Sequence, residues 1–323
     1  MQWVDADQLR RLLDVPYLVD GLRELHRAPP PAVDRALLEQ PGGPAGPNHY
    51  LLLPAWQADQ ALGAKLVTVF PGNESAGTSL PNIQAVYVLF DGANGAPLAV
   101  IDGTMLTYLK TAADSALGAT LLARDDPERL LMVGAGALAP YLIEAHLAVR
   151  PSIRQVSVWN RTRSSAQRLA ETASFDGVEL TAVTDLEPAA RAADVICCAT
   201  ASCAPLIEGA WLKPGAHLDL VGGFTNAMRE ADDEAARRAR VYVDSRWFTV
   251  GHCGDITGPL DAGAITEADI LGDLFELSSG AVPGRTNPDD ITLFKNGGGA
   301  HLDLMTAQLA MRRLSETSDG SDR

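Results

Sequence analysis

The sequence is poor in cysteine. Its 323 residues include four cysteines, and none of them forms a C-x-x-C pair, so neither a disulfide framework nor a bound metal is expected. Buried free thiols in a cytosolic protein are the simpler expectation. The four positions are Cys197, Cys198, Cys203 and Cys253.

Positive charge and long apolar runs are scarce as well. Lys and Arg number 26 against 41 Asp and Glu, a formal net charge of −15, which argues against binding to nucleic acid or to an anionic membrane surface. No apolar run reaches the roughly 18 residues that a membrane-spanning helix needs. The amphipathic, acidic N-terminus is unlike a signal peptide. We therefore expect a cytoplasmic protein that acts on small molecules.

Two kinds of periodicity follow each other along the chain. Residues 14–27 predict a helix capped by Asp14, and four β-rich segments between residues 49 and 102 predict an antiparallel meander. A long helix over 104–123 comes next. Short apolar strands then alternate with helices, which indicates a parallel, doubly wound sheet of Rossmann type. The fold class is therefore α/β, with an antiparallel sheet beside the parallel one.

The C-terminal part returns to a simpler pattern. "ITLFKNGGGAHLDLMTAQLAMRRL" predicts a strand, a triple-glycine turn and an amphipathic helix with an apolar stripe that includes Leu302, Met305 and Leu309. We expect this helix to return to the first domain. The polar segment from Ser315 onward is expected to be a frayed tail.

A dinucleotide motif marks the start of the parallel sheet. "LLMVGAGALA" contains Gly134-x-Gly136-x-x-Ala139 directly after a predicted strand and at the start of a predicted helix. Gly134 permits the tight turn, and Gly136 allows the backbone to approach a pyrophosphate at the helix N-terminus. The alternative is a strand–helix turn that serves packing alone.

The next strand indicates which dinucleotide binds. An NAD enzyme usually places an acidic residue at its end, for the ribose 2′-hydroxyl, whereas this chain has Asn160, Arg161 and Thr162. Arginine and threonine can bind a 2′-phosphate, so NADP(H) is preferred and NAD(H) stays possible. The alternative for Arg161 is an ordinary solvated charge. Thr200 is placed beside the cofactor at the switch point of the sheet, with helix capping as its alternative.

Candidate substrate residues are basic and scattered. Lys65 shares a strand face with Gly63, Val67 and Val69, as either an edge-strand charge or a cation that faces a ligand. Lys110 and Asp114 are one helical turn apart, which is also the spacing of an ordinary ion pair. His301, after the triple glycine, is a weak candidate. The chain contains no HExxH or GxSxG motif.

Together these segments resemble the ornithine cyclodeaminase/μ-crystallin family over nearly the whole chain. The resemblance implies a substrate-binding and dimerisation domain of residues 1–120 and 300–323, with a Rossmann domain of residues 121–299 inserted into it, a homodimer, and hydride transfer between NAD(P)(H) and the α-carbon of an amino or imino acid. The matching segments are AKLVTVFPGN, LTYLKTAADSALGA, VGAGALA, VWNRT, LKPGAHLDLVG, READDE and ITLFKNGGGAHLDL.

The resemblance also implies roles for single residues. Lys65 matches the family lysine that binds substrate beside the reacting carbon, and Arg35 loosely matches an arginine that binds the substrate carboxylate. Lys110 stands where most members have arginine, and it keeps the charge without the bidentate fork. Cyclodeaminases resemble "VGGD" with a catalytic aspartate, where this chain has "VGGF" and Phe224. Phe224 cannot transfer a proton, which favours simple reduction of an imine.

We therefore expect a reductase of a cyclic ketimine carboxylate, first Δ1-pyrroline-2-carboxylate to L-proline and second Δ1-piperideine-2-carboxylate to L-pipecolate. The alternatives are ornithine cyclodeaminase, an open-chain imino- or amino-acid dehydrogenase, and a binding protein that holds a dinucleotide without catalysing a reaction. Lys65 is the expected catalytic residue. Expected substrate contacts are Arg35, Lys65, Lys110, Phe224 and Gly297; expected cofactor contacts are Asn82, Lys110, Thr111, Gly134, Gly136, Ala137, Leu138, Asn160, Arg161, Thr162, Thr200, Val221 and Asn296.

Overall fold

The computed structural model describes residues 1–41, 46–75 and 80–320. The chain forms two compact units. The first unit is Met1–Leu22, Pro29–Lys110 and Gly299–Arg323, and the second is Arg23–Ala28 and Thr111–Gly298. The chain thus divides by packing between residues 110 and 111 and between residues 298 and 299. The separate domain roles expected from the sequence stay a prediction.

The first unit is built on a mostly antiparallel sheet. Its order is β1-β7-β6-β5-β4-β2, with β3 also paired to β4. The meander predicted from the sequence is confirmed, because β4, β5, β6 and β7 pair antiparallel in succession. The elements are β1 Gln2–Val4, α1 Ala6–Leu12, α2 Val15–Leu25, β2 Ala32–Val33, β3 Ala36–Gln40, β4 Asn48–Gln57, β5 Ala61–Val69, α3 Gly72–Ser75, β6 Ile83–Asp91, β7 Pro97–Asp102 and the start of α4 Gly103–Leu122.

The second unit is an eight-stranded sheet whose strands all pair parallel, in the order β10-β9-β8-β11-β12-β15-β13-β14. The interior strands β8 and β11 read as nearly continuous apolar runs because helices cover both faces of such a sheet, whereas β12 carries the buried polar residues His217 and Asp219. The elements are β8 Arg129–Val133, α5 Ala139–Val149, β9 Gln155–Trp159, α6 Arg163–Thr172, β10 Glu179–Ala182, α7 Leu186–Ala192, β11 Val195–Cys198, β12 His217–Leu220, α8 Asp233–Arg238, β13 Arg240–Val243, α9 Arg246–Thr249, α10 Gly254–Asp261, β14 Ile270–Asp273, α11 Leu274–Ser279 and β15 Thr292–Lys295.

The C-terminal helix α12, Ala300–Gly320, packs on β4, β5 and β6, as expected. One detail of the prediction is wrong. The buried surface is wider than one stripe, since Asp303 and Thr306 are as buried as Leu302, and this places polar chemistry inside the first unit. The helix continues from Ser315 to Gly320, and residues 321–323 of the predicted tail lie outside the described residues, so the fraying stays a prediction.

Two expectations from composition can be compared with the fold. Cys197, Cys198 and Cys253 are buried free thiols as expected, but Cys203 is exposed, because it lies in the loop after β11. No helix among the described residues is long and apolar enough to cross a membrane.

Candidate active site

The turn after β8 is shaped for a dinucleotide. Gly134 has φ +109°, and a Cβ there would lie 2.5 Å from the Ala199 carbonyl oxygen, so only glycine fits. Gly136 differs, because a Cβ there would have no neighbour within 4 Å. The space above Gly136 is therefore open to a ligand at the N-terminus of α5, and the residues present fit a pyrophosphate.

A cavity of about 320 Å³ lies over this turn. It runs across the point where the strand order reverses between β8 and β11, which is where open α/β sheets bind their ligands. Of the predicted cofactor residues, it brings together Gly134, Gly136, Asn160, Arg161, Thr162 and Thr200. Ala137 and Leu138 belong to the same turn before α5, and their contact with a cofactor stays a prediction.

Asn160 fixes the two sides of the cavity to each other. Its Oδ1 accepts a hydrogen bond from the Ala135 backbone N–H at 3.2 Å, and its Nδ2 donates to the Thr162 carbonyl at 3.0 Å. The side chains of Arg161 and Thr162 are exposed at the mouth of the cavity. A neutral amide thus occupies the position at the end of β9 where an acidic residue would repel a 2′-phosphate.

Three buried charged residues lie beneath the loops that follow β11 and β12, and sequence reasoning assigned them no role. Glu230 accepts from the backbone N–H of Thr200 at 2.6 Å, from the Thr200 hydroxyl at 2.8 Å and from the Gly222 N–H at 2.8 Å. Asp255 accepts from the Glu230 N–H at 2.7 Å and forms an ion pair with Lys295 at 3.3 Å. Val221, a predicted cofactor contact, is buried at the end of β12, directly before this network.

The pKa values in this network reflect burial and mutual charge. Burial raises the pKa of Glu230 and Asp255 raises it further, while Lys295 and the Thr200 hydrogen bonds oppose the rise. Burial alone would lower the pKa of Lys295, but the carboxylates of Asp255 and Glu230 outweigh it and raise the value. Lys295 therefore stays a cation inside the unit.

The glycine turn after β15 is held by Asp244, a further residue to which sequence reasoning assigned no role. Its Oδ2 accepts from the N–H groups of Gly297 at 2.8 Å and Gly298 at 2.7 Å. Asn296 donates through Nδ2 to the Thr111 carbonyl at 3.0 Å and to Ser115 Oγ at 3.1 Å. The predicted residues Asn296 and Gly297 thus belong to one fixed turn, which is hydrogen-bonded to the predicted residue Thr111 on α4. The contacts of all three with ligands stay a prediction.

The loop after β12 presents an aromatic ring and no acid. Phe224 is 67% exposed. Asn226 donates through Nδ2 to the Gly251 carbonyl at 3.0 Å, and the Gly254 N–H donates to the Thr225 carbonyl at 3.0 Å. The loop is therefore anchored at its base while the ring points away from the core of the second unit.

Lys65 and Lys110 meet in the first unit on a shared carboxylate. Lys65 Nζ lies 2.9 Å from Asp303 Oδ2, and Lys110 Nζ lies 3.1 Å from Asp303 Oδ1. Lys110 also donates to the Gly299 carbonyl at 3.1 Å. The exposed fractions of Lys65, Lys110 and Asp303 are 6%, 1% and 0%. Lys65 is not an edge-strand charge, because β5 lies between β4 and β6.

This lysine cluster, Lys65, Lys110 and Asp303, brings two ammonium groups to one buried carboxylate. Tyr87, the cross-strand partner of Lys65, adds no charge: burial and then the charge of Asp303 raise the pKa of Tyr87 well above its ordinary value, so the phenol stays neutral. Ammonium groups fixed in this way are suited to bind an anion.

Three further candidates lie elsewhere in the first unit. Arg35 is exposed between β2 and β3, and β4 separates this segment from β5, so the sheet does not bring its backbone next to Lys65. The Asn82 carbonyl accepts from the Phe70 N–H at 2.7 Å. His301 is buried in the first turn of α12. Their contacts with ligands stay predictions.

Known proteins share this architecture along nearly its full length. The chain is 45% identical to Delta(1)-pyrroline-2-carboxylate reductase of Paracoccus denitrificans over 296 residues, 91% of each protein. It is 38% identical to ketimine reductase mu-crystallin of Mus musculus, over 80% of this chain and 78% of the mouse protein. The structure of Thermococcus litoralis Delta(1)-pyrroline-2-carboxylate reductase in complex with NADH and L-proline superposes with a TM-score of 0.88 at 30% identity, covering 98% of both chains.

The family assignment follows from the match over most of the sequence. Residues 47–318 match the ornithine cyclodeaminase/mu-crystallin family, a range that includes Lys65, the glycine turn after β8 and Asp303. The fold and the resemblance predicted from the sequence are both confirmed. This protein belongs to the ornithine cyclodeaminase/mu-crystallin family.

Proposed function

We propose that this protein is an NAD(P)H-dependent reductase of a cyclic ketimine carboxylate, with Δ1-pyrroline-2-carboxylate as first substrate and L-proline as product. The observation that carries the proposal is the buried lysine cluster, in which Asp303 holds the ammonium groups of Lys65 and Lys110 together. A substrate carboxylate would accept charge-assisted hydrogen bonds from these two ammonium groups. The Paracoccus denitrificans and Thermococcus litoralis relatives, both named as reductases of this substrate, support the choice.

The residues would divide the work as follows. Lys110 and Lys65 would bind the carboxylate, and Asp303 would hold both ammonium groups in place. Lys65, or a water that it orients, supplies the proton to the imine nitrogen. The coenzyme supplies the hydride to the imine carbon, so the C=N bond becomes CH–NH. Holding both reactants in contact can lower the activation barrier by about 7–11 kcal/mol.

Phe224 favours reduction over cyclodeamination. Loss of ammonia from ornithine needs proton transfers at nitrogen besides the redox step, and the loop after β12 offers an exposed phenyl ring in the position of the family's catalytic aspartate. Phe224 would pack against ring methylenes, each worth about 0.8 kcal/mol when buried. The piperideine substrate differs from the pyrroline by one such methylene.

NADP(H) is the proposed coenzyme and NAD(H) the alternative. Asn160, Arg161 and Thr162 lie together at the cavity mouth, where an arginine can pair with a 2′-phosphate. The Thermococcus litoralis relative was solved with NADH, so the preference of this chain has to be measured. Binding of NADPH and NADH to the wild type, followed by coenzyme fluorescence, measures it directly.

The sheet of the first unit supports a homodimer. Trp56, Leu62 and Phe90 are register partners on neighbouring strands, on the face opposite Lys65. They line a shallow cavity of about 350 Å³, and Trp56 is 56% exposed. An apolar sheet face of this kind is suited to a second copy of the chain. Trp56→Glu should convert a dimer into a monomer in light scattering; a monomeric wild type would contradict the dimer.

A panel of substrates tests the function. The wild type is assayed for NADPH and NADH oxidation with the five- and six-membered cyclic imines, and with pyruvate plus ammonia or methylamine as open-chain competitors. We expect the highest kcat/KM for a cyclic imine. Higher kcat/KM for an open-chain pair would favour the dehydrogenase alternative, and rapid ammonia release from L-ornithine with NAD would favour cyclodeaminase. The buried thiols fit a reducing compartment, and we propose the cytoplasm.

A further inference from the structure

The buried network of Glu230, Asp255 and Lys295 joins three strands at one edge of the parallel sheet. Thr200 follows β11, Gly222 follows β12, and Lys295 ends β15. These three strands are neighbours in the order β11-β12-β15. The ribose-recognition residues Asn160 and Arg161 lie on the other side of the switch point, after β9. By the layout of a doubly wound sheet, the network therefore lies under the nicotinamide half of the coenzyme site.

One side chain in this network connects two loops directly. Glu230 uses Oε1 for both the N–H and the hydroxyl of Thr200, and Oε2 for the Gly222 N–H. Thr200 itself lines the dinucleotide cavity. Any displacement of the Glu230 carboxylate therefore moves the loops after β11 and β12 relative to each other.

The two glycines of "VGGF" are required by their close contacts with this network. A Cβ on Gly222 would lie 2.0 Å from the Thr200 carbonyl oxygen and 2.6 Å from Glu230 Oε1, and a Cβ on Gly223 would lie 2.6 Å from Asp255 Oδ2. Real Cβ atoms do not approach so closely. The two glycines thus let the loop lie directly against the carboxylates.

The network also has an uneven charge. Lys295 is one cation against the two carboxyl groups of Asp255 and Glu230, and all three are almost completely buried. With both carboxyl groups ionised, one negative charge is left without a partner of opposite sign within this trio. A buried negative charge favours a nearby cation, and the oxidised nicotinamide ring is a cation whereas the reduced ring is neutral.

We propose that Glu230 is a positioning residue that holds the loops after β11 and β12 in register under the nicotinamide and favours the oxidised coenzyme over the reduced one by its charge. This inference rests on the proposed dinucleotide-dependent function but not on the identity of the imine. Asp255 and Lys295 act through Glu230, since Asp255 fixes the Glu230 N–H and Lys295 holds Asp255.

The test is the affinity of Glu230→Gln for each coenzyme form, measured by fluorescence titration at pH 8 on the full-length protein. Gln removes the charge and places an amide N–H against the Gly222 N–H or against the Thr200 groups. We expect both forms to bind more weakly and the oxidised form to lose about tenfold more, because one nearby charge commonly shifts an equilibrium by about one pK unit. Equal losses for the two forms would overturn the charge role, and unchanged affinities would overturn the proposal entirely.

A matched control separates this effect from general destabilisation. Asp219 is also a fully buried carboxylate of the second unit, bonded to His146 and Cys197, and it lies on β12 within the sheet. Asp219→Asn should lower the melting temperature without changing the ratio of the two affinities. A ratio shifted as far in Asp219→Asn as in Glu230→Gln would overturn the assignment.

If Glu230→Gln does not fold, the Glu230→Asp variant tests the positioning role of Glu230. It keeps the charge and withdraws the carboxylate by one methylene, so both coenzyme forms should bind more weakly with the wild-type ratio; wild-type affinities would overturn the positioning role. Titration of the coenzyme requires no imine. A wild type that binds coenzyme but reduces no imine would defeat the proposed function and leave the Glu230 test intact.

Discussion

Replacing Lys110 by Met should remove most of the activity while leaving the fold intact. In the wild type, Asp303 Oδ1 lies 3.1 Å from Lys110 Nζ and Asp303 Oδ2 lies 2.9 Å from Lys65 Nζ. The variant removes one of the two ammonium groups held at Asp303, so a substrate carboxylate loses one charged partner. Losing one charged partner of a buried ligand carboxylate costs about 2–5 kcal/mol; taking about 3 kcal/mol predicts a fall in kcat/KM of about a hundredfold.

Stability should respond differently, because the same change also removes the cost of burying an ammonium group. Lys110→Met also loses the hydrogen bond to the Gly299 carbonyl, worth about 1 kcal/mol, and the two effects oppose each other. Asp303→Asn instead leaves both ammonium groups without their carboxylate and should cost about 3–5 kcal/mol. The free energy of unfolding from urea titration distinguishes the two variants.

The activity assay is NADPH oxidation at 340 nm (a coenzyme absorbance) with varied cyclic imine, and Lys110→Arg is the matched control. Arginine keeps the positive charge of Lys110 and is the residue that most family members have at this position. The Lys110→Arg variant should therefore retain most of the activity. A kcat/KM for Lys110→Met within about threefold of the wild type would refute the role of Lys110 in binding the substrate carboxylate.

Three further predictions address the coenzyme site and the core. Gly134→Ala should cost about 2–3 kcal/mol of stability, because φ there is +109° and the added Cβ would meet the Ala199 carbonyl at 2.5 Å. Gly136→Ala should leave stability unchanged and weaken coenzyme binding; two variants with equal melting temperatures would contradict this contrast. Arg161→Ala should weaken NADPH much more than NADH in fluorescence titrations, and equal effects would refute a 2′-phosphate contact. Burial lowers the pKa of His217 to about 3 in the folded protein. Between pH 6.5 and 3 the unfolded chain therefore carries a proton on this histidine that the folded chain does not, so stability falls as the pH is lowered. His217 alone should lower the free energy of unfolding by about 3 kcal/mol between pH 7 and 4.5. In urea titrations at both pH values, His217→Gln should show a smaller loss than the wild type, and an identical loss would contradict the assignment.

Local patterns in the sequence were enough to predict the dinucleotide motif and the sheet types. The Gly134 and Gly136 spacing predicts the turn because its steric requirements are met within a few residues. The alternation around Lys65 predicts which strand face it shares, but it cannot distinguish an edge strand from an interior one. That distinction depends on pairing between β4, β5 and β6, which only the assembled sheet shows.

The missed residues act over long sequence distances or through the backbone. Asp303 lies 238 residues from Lys65, and the apolar stripe of its helix gave no sign that its carboxylate is buried. Glu230 and Asp244 accept hydrogen bonds mainly from backbone N–H groups. Backbone groups do not depend on residue type, so the sequence does not indicate these contacts. The small residues at 222, 223 and 297 were the available signal, since glycines beside an acidic residue allow such close backbone contacts.

The most direct test of the central claim is the fate of the hydride. The wild type is incubated with Δ1-pyrroline-2-carboxylate and with NADPH that carries deuterium in place of both hydrogens at nicotinamide C4. The product is identified by mass spectrometry and chiral chromatography. We predict L-proline that carries one deuterium at the α-carbon. Unlabelled product, no proline at all, or a parallel incubation in which L-ornithine and NAD release ammonia at a comparable rate would contradict a ketimine reductase.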